Sequence, residues 1–66
     1  MNIGKSLRIA MVKRDMGQQE VADKAGISRV YVSQICRNRA KVSQDLLERL
    51  AKAVDYSVSE FIALGE

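Results

Sequence analysis

A single glycine separates two short stretches of helical periodicity, and this arrangement strongly restricts the possible folds. Residues 18–25 place apolar side chains at helical spacing before it, and residues 29–37 do the same after it. Gly26 suits the left-handed position that ends a helix, and Ser28 suits the N-cap that begins the next one. A helix, a three-residue turn and a second helix predict a helix-turn-helix unit over residues 18–37.

Apolar residues recur at helical spacing along the rest of the chain, and no segment alternates with the period of a strand. Ser43 is expected to cap one further helix, and Ser57 and Glu60 have the spacing of a capping box before another. We therefore expect an all-α fold, a compact five-helix bundle, with residues 1–66 forming a single domain. Helices 1 to 5 are predicted over residues 2–14, 18–25, 29–37, 44–54 and 58–64.

Composition excludes several ways of stabilising the chain and several classes of function. The chain has no histidine and one cysteine, so we expect neither a metal site nor a disulfide within it. It has no nucleophile beside a base and no phosphate-cradling glycine loop, so we expect no enzyme activity, no cofactor and no small-molecule ligand. No stretch is long and apolar enough to span a membrane, and a free cysteine is typical of the cytoplasm. The predicted localisation is therefore cytoplasmic.

The positive charge is unevenly distributed along the chain. Residues 1–44 carry nine Lys/Arg and three Asp/Glu, giving +6, whereas residues 45–66 carry two Lys/Arg and five Asp/Glu, giving −3. The helix-turn-helix unit lies in the basic part, which is the pattern of a protein that holds a polyanion on one side. Charge alone leaves a merely solubilising surface equally open.

Helix 3 has one face without an acidic residue. When the helix is unrolled at about 100° per residue, Tyr31, Val32 and Ile35 fall on the core face. The opposite face, which we call the reading face, mixes Arg and Gln, which can bind bases bidentately, with a hydroxyl and a small apolar group suited to a thymine methyl. A polar face that binds nothing is the alternative, and the helix-turn-helix arrangement favours base contact. The reading face consists of Arg29, Val30, Ser33, Gln34 and Arg37.

Side chains suited to phosphate flank the reading face. Gln18 begins helix 2, where free backbone N–H groups and the helix dipole favour an anion. A dense basic run follows helix 3, and we prefer phosphate binding to a solvated loop because the run lies beside the reading face. Phosphate contacts are therefore predicted for Gln18, Arg37, Asn38, Arg39 and Lys41.

From Ile3 to Phe61 the chain resembles the phage repressor and Cro family of helix-turn-helix regulators, also called the XRE-like family. The resemblance implies a lambda-repressor-like fold of five helices and operator binding as a homodimer. It also implies base contacts from the start and middle of helix 3. The segments that carry it most clearly are residues 18–22, 25–28, 31–35 and 50–54. Carried over by position, the base contacts fall on Ser28, Arg29, Val30, Ser33 and Gln34, and the phosphate-binding glutamine falls on Gln18.

Several departures from the family pattern occur, and two of them concern the contact between helices 1 and 3. The family often pairs an arginine of helix 1 with a glutamate late in helix 3, and those positions here are Met11 and Cys36. Apolar groups that replace both partners of an ion pair can be neutral or stabilising, so we expect these two residues to be close in space. Cys36 is expected to be a small buried residue rather than a redox group. Ile9 and Val12 lie opposite the Leu7 stripe, and they form either an exposed apolar pair or a pair buried under a terminal segment.

These observations favour a sequence-specific transcriptional regulator, most simply a small Cro-like repressor that binds a near-palindromic double-stranded DNA operator as a homodimer. A restriction–modification controller protein is the close alternative. A protein-interaction module that uses this fold without DNA is an alternative of another class, supported by the acidic C-terminal third and opposed by the acid-free reading face. By resemblance, the dimer surface is expected at helix 5 and the end of the chain, including Ile62 and Leu64.

Overall fold

The computed structural model describes residues 1–66 and contains five α-helices and no strand, which confirms the expected all-α architecture. The predicted boundaries change by one residue at three points, because Asn2 is the N-cap of the first helix and Arg37 and Val54 are C-caps. None of the helices has the length and apolar character needed to cross a bilayer. The helices are α1 (Ile3–Arg14), α2 (Gln18–Ala25), α3 (Arg29–Cys36), α4 (Gln44–Ala53) and α5 (Val58–Leu64).

Serine side chains begin the last three helices. The Oγ atoms of Ser28, Ser43 and Ser57 accept hydrogen bonds from backbone N–H groups three residues later, at 3.0, 3.2 and 3.1 Å. The Glu60 carboxylate in turn accepts the Ser57 N–H at 3.1 Å, which completes the predicted capping box. Each cap satisfies an amide that has no partner within its helix. The N-cap of α2 is Gly17, which provides no side-chain hydrogen bond.

The turn between α2 and α3 is held from two sides. Gly26 has the expected left-handed backbone, with a φ angle of 72°. Its N–H donates to the Ala22 carbonyl oxygen, and the Ile27 N–H donates to the same oxygen at 3.0 Å. From α4, the Nη2 group of Arg49 donates to the Gly26 carbonyl at 3.3 Å. A Cβ atom at Gly26 would lie 2.9 Å from that Nη2 atom, so glycine suits both the backbone and the contact.

One apolar core joins all five helices. α2 packs against both α3 and α4, and α1 packs against α3 and α5. Leu7 of α1, Leu50 of α4 and Phe61 of α5 have no exposed area. On the predicted core face of α3, Val32 and Ile35 are buried and Tyr31 is half-buried. The side of α2 that faces them is buried at Val21, Ala22 and Ala25.

α1 is attached to the other helices through backbone groups. The Gly4 N–H donates to Asn38 Oδ1 just beyond α3 at 3.1 Å, and the buried Ser6 hydroxyl donates to a carbonyl of α5 at 3.3 Å. Arg14 donates to two carbonyls at the end of α4 at 3.1 and 3.0 Å, and its guanidinium lies 4.1 Å from the centre of the Tyr56 ring. The first of these contacts holds α1 beside the end of α3, and the others hold it against α5 and the end of α4.

The close approach of α1 to the end of α3 generates a stability prediction. A Cβ atom at Gly4 would lie 2.7 Å from both Asn38 Oδ1 and the Ile35 carbonyl oxygen. Gly4→Ala should therefore lower the free energy of unfolding by about 1–3 kcal/mol, because overpacking outweighs the better helix propensity of alanine. Urea denaturation measures the change. The control is Lys5→Ala, an exposed position in the same turn of α1, and an equal loss in both variants would contradict the steric explanation.

Candidate nucleic-acid interface

Five of the predicted contact residues line one surface depression between α2 and the outer side of α3. Arg29, Val30 and Gln34 are exposed, and Val30, at 68% exposure, is one of three large apolar side chains that the fold leaves outside the core. The depression has a volume of about 330 Å³, and we call it the α2–α3 depression. It is lined by Gln18, Arg29, Val30, Ser33 and Arg37.

Gln34 is exposed in the second half of α3 but does not line the depression. The remaining predicted contacts lie at or beyond the two ends of α3. Ser28 is exposed at the N-terminal end, where its Oγ accepts the Tyr31 N–H while its own O–H remains free to donate. Arg39 and Lys41 are exposed in the loop that follows α3. The Tyr31 hydroxyl donates to the Lys41 carbonyl at 3.3 Å, which holds this loop against the helix.

The side chain of Asn38 makes hydrogen bonds to the start of α1 that the sequence did not indicate. The φ angle of 57° at Asn38 gives the left-handed conformation that ends α3. Its amide is already engaged, because Oδ1 accepts the Gly4 N–H and Nδ2 donates to Asn2 Oδ1 at 3.0 Å. The side chain therefore positions the basic loop relative to α1.

The basic side chains around the reading face have no acidic partners. The one ion pair in the structure, Lys24 with Glu20 at 3.4 Å, lies on the exposed side of α2. Arg29, Arg37 and Arg39 are exposed, and no carboxylate lies within 4 Å of any of them. Their charges add to one another, so this surface attracts anions.

The N-terminus of α2 opens onto the same surface. Gln18 is its first residue, and the preceding Gly17 supplies no capping side chain. The first backbone N–H groups of a helix have no partner within it, and together with the helix dipole they form a site suited to phosphate. Gln18 is half-buried and lines the α2–α3 depression, so an anion at this helix end would lie beside the reading face.

A larger groove of about 640 Å³ borders the depression, and we call it the α1–α3 groove. Met11 and Cys36 both line it, which agrees with their expected proximity. Val12 is 82% exposed, so residues 1–66 leave it uncovered, whereas Ile9 is half-buried. The groove shares Gln18, Ser33 and Arg37 with the depression, and its other lining residues are Arg8, Met11, Val12, Asp15, Met16 and Cys36.

Arg8 is the residue of this surface that the sequence did not indicate. Its Nη1 group donates to the Cys36 carbonyl oxygen at the end of α3. A backbone carbonyl has the same chemistry at every residue, so no pattern in the sequence predicts which carbonyl Arg8 binds. The available signal was the position of Arg8 three residues before Met11, which places both side chains on one side of α1.

The thiol of Cys36 is a buried packing group. Only 6% of the residue is exposed, and burial raises the thiol pKa above its ordinary value of 9.0, while the positive charge of Arg8 opposes this shift. The thiolate is the reactive form of cysteine, so a raised pKa and burial both lower the reactivity of the side chain.

A family model described as helix-turn-helix matches residues 7–61 of this chain. The protein therefore belongs to the XRE-type helix-turn-helix family, as the sequence resemblance implied. Its five-helix fold is that of the phage-repressor DNA-binding domains. The family consists of DNA-binding regulators rather than enzymes.

Individual relatives agree with this assignment. The chain is 33% identical over its whole length to the competence pilus inhibition repressor of Acinetobacter baylyi, and it spans 60% of that protein. The clp gene regulator ClgR of Corynebacterium glutamicum matches 97% of this chain and 83% of its own, with a TM-score of 0.91 and 26% identity. The restriction-modification controller protein C.AhdI of Aeromonas hydrophila matches 91% of both chains, with a TM-score of 0.85 and 28% identity.

The environment of Cys36 generates a reactivity prediction. At pH 8, iodoacetamide should alkylate the folded protein far more slowly than the protein in concentrated urea, because unfolding removes the burial that keeps the thiol protonated and covered. Mass spectrometry over time measures both rates. Alkylation of the folded chain at the unfolded rate would show that the thiol is accessible and would contradict its assignment as a packing group.

Proposed function

We propose that this protein is a sequence-specific transcriptional repressor that binds operator DNA through α3. The reading helix enters the major groove, and Ser28, Arg29, Val30, Ser33 and Gln34 contact base edges. Gln18 and the basic loop hold the flanking phosphates through Arg37, Arg39 and Lys41, with Asn38 setting the path of that loop. Binding to DNA would localise the protein to the bacterial nucleoid in the cytoplasm.

The observation that carries this proposal is the convergence of suitable side chains on the α2–α3 depression. A bidentate donor, a hydroxyl and a small apolar side chain stand side by side on α3, namely Arg29, Ser33 and Val30. These are groups that discriminate guanine, other hydrogen-bonding base edges and the thymine methyl. Gln18, at the start of a helix, closes the other side of the depression with a group suited to phosphate. Base-reading and phosphate-holding groups thus lie next to one another, as an operator requires.

We further propose that the protein binds as a homodimer to a near-palindromic site, with two reading helices about 34 Å apart. The surface of α5 supports this arrangement. Val58, Ile62 and Ala63 line a shallow groove of about 600 Å³ on this helix, and Ile62 and Leu64 are only half-buried by their own core. A second copy of α5 would cover these apolar side chains.

Two regulatory roles are compatible with this site. The similarity to the Acinetobacter repressor favours a repressor, whereas the similarity to C.AhdI favours a restriction–modification controller. Both would bind DNA through the same residues, so the bound sequence and the genes beside it distinguish them.

Selection of binding sites from random DNA, followed by titration of the selected duplex, tests the proposal. The full chain should enrich a near-palindromic sequence and bind it as two copies per duplex. Its affinity should fall steeply with salt, because phosphate contacts release counterions. An unrelated duplex of equal length is the control. Equal affinity for both duplexes would contradict sequence-specific regulation and favour a protein-interaction module.

Two variants distinguish a base contact from a phosphate contact by their effects on affinity. Arg29→Ala should cost about 1–3 kcal/mol on the selected duplex and relax specificity at one base pair. Arg39→Ala should weaken binding to all duplexes alike and reduce the salt slope by about 1, because it removes one phosphate contact. Competition titrations with single-base variants of the site measure both effects. The reverse pattern would exchange the roles assigned to these two arginines.

A further inference from the structure

Arg8 connects α1 to the end of the reading helix through an otherwise unpaired carbonyl. No backbone N–H donates to the Cys36 carbonyl oxygen, and the Nη1 group of Arg8 supplies the hydrogen bond instead. The last carbonyls of a helix carry the negative end of its dipole, which a guanidinium stabilises. Arg8 is therefore held in place on α3 before any ligand arrives.

Arg8 also borders the surface that carries the proposed phosphate contacts. Arg8 is exposed and lines the α1–α3 groove together with Gln18 and Arg37. Asp15 also lines this groove, but no carboxylate lies within 4 Å of the Arg8 guanidinium. Its positive charge is therefore not neutralised within the protein.

An arginine side chain can serve two acceptors at once. The guanidinium has five N–H donors in a rigid planar fork, and the Cys36 carbonyl uses one of its two terminal nitrogens. The other donors suit the two oxygens of a phosphate, which arginine commonly binds through parallel hydrogen bonds. The geometry thus allows one side chain to hold α3 and an anion together.

We propose that Arg8 is a further DNA-backbone contact, which binds the phosphate next to those held by Gln18 and Arg37 while it remains bonded to the Cys36 carbonyl. This inference rests on the proposed function. It extends the phosphate-binding surface from the helix-turn-helix unit onto α1. Because the same group holds α3, Arg8 also fixes the distance between the bound phosphate and the reading face.

The test compares Arg8→Met with Lys13→Met on the duplex selected by the unmodified chain. Both variants lose one positive charge from α1, but Lys13 is exposed and does not line the groove. The slope of log K against log salt should fall by about 0.9 in Arg8→Met, and it should stay unchanged in Lys13→Met. Weaker binding with an unchanged slope would assign Arg8 a structural role only, and an equal change in both variants would show a non-local charge effect. Either result would overturn the proposal.

A measurement on the unmodified protein removes any dependence on how the variants fold. Phenylglyoxal modifies arginines that are not covered, and peptide mass spectrometry identifies the modified positions. DNA should protect Arg8 several-fold, whereas Arg49, which is bonded to Gly26 away from this groove, should react equally with and without DNA. Equal modification of Arg8 in both states would overturn the assignment. Failure of the unmodified chain to bind DNA would overturn this proposal together with the proposed function.

Discussion

The arrangement of the whole surface depends on how the chain turns between α2 and α3. Gly26 reverses the backbone through a left-handed conformation, and the guanidinium of Arg49 binds its carbonyl from α4. The turn is thereby attached to a helix outside the helix-turn-helix unit. Gln18 lies on α2 and Arg29 and Arg37 lie on or next to α3, so they line one depression only while the angle between the two helices is maintained. A rigid scaffold is what allows a few side chains to read a surface.

Local signals were sufficient to predict most of the fold. Helix boundaries follow from serine caps, a capping box and left-handed residues, which are interactions between groups a few residues apart. The reading face follows from helical geometry, because residues three and four apart lie together on one side. The places where the boundaries moved, Asn2, Arg37 and Val54, are cap positions that lie half inside a helix. Asn2 is a favoured N-cap residue, and its Oδ1 accepts the Lys5 N–H at 3.0 Å, whereas Arg37 and Val54 carry no comparable C-cap signal.

Contacts from side chains to distant backbone carbonyls could not be predicted. Arg8, Arg14 and Arg49 each donate to carbonyls 23 or more residues away. The acceptor is identical at every residue, so the sequence records only an arginine with no evident partner. The amide of Asn38 is a similar case, since its conformation follows from residue type, whereas its hydrogen bonds to the start of α1 depend on how α1 docks. Arg14 and Arg49 thus stabilise the fold, Arg29, Arg37 and Arg39 remain available to an anion, and Arg8 has donors for both.

The replacement of the family's ion pair by Met11 and Cys36 changes how α1 is joined to α3. An ion pair between the two helices would place a carboxylate beside its arginine and offset that positive charge. Here the two positions line an apolar part of the groove, and the link is made by Arg8 to a carbonyl, which neutralises no charge. The carbonyl bond leaves the remaining donors of Arg8 unused. The fold thereby keeps the contact between α1 and α3, and it gains a positive group at the edge of the surface where Gln18 and Arg37 face the proposed DNA backbone.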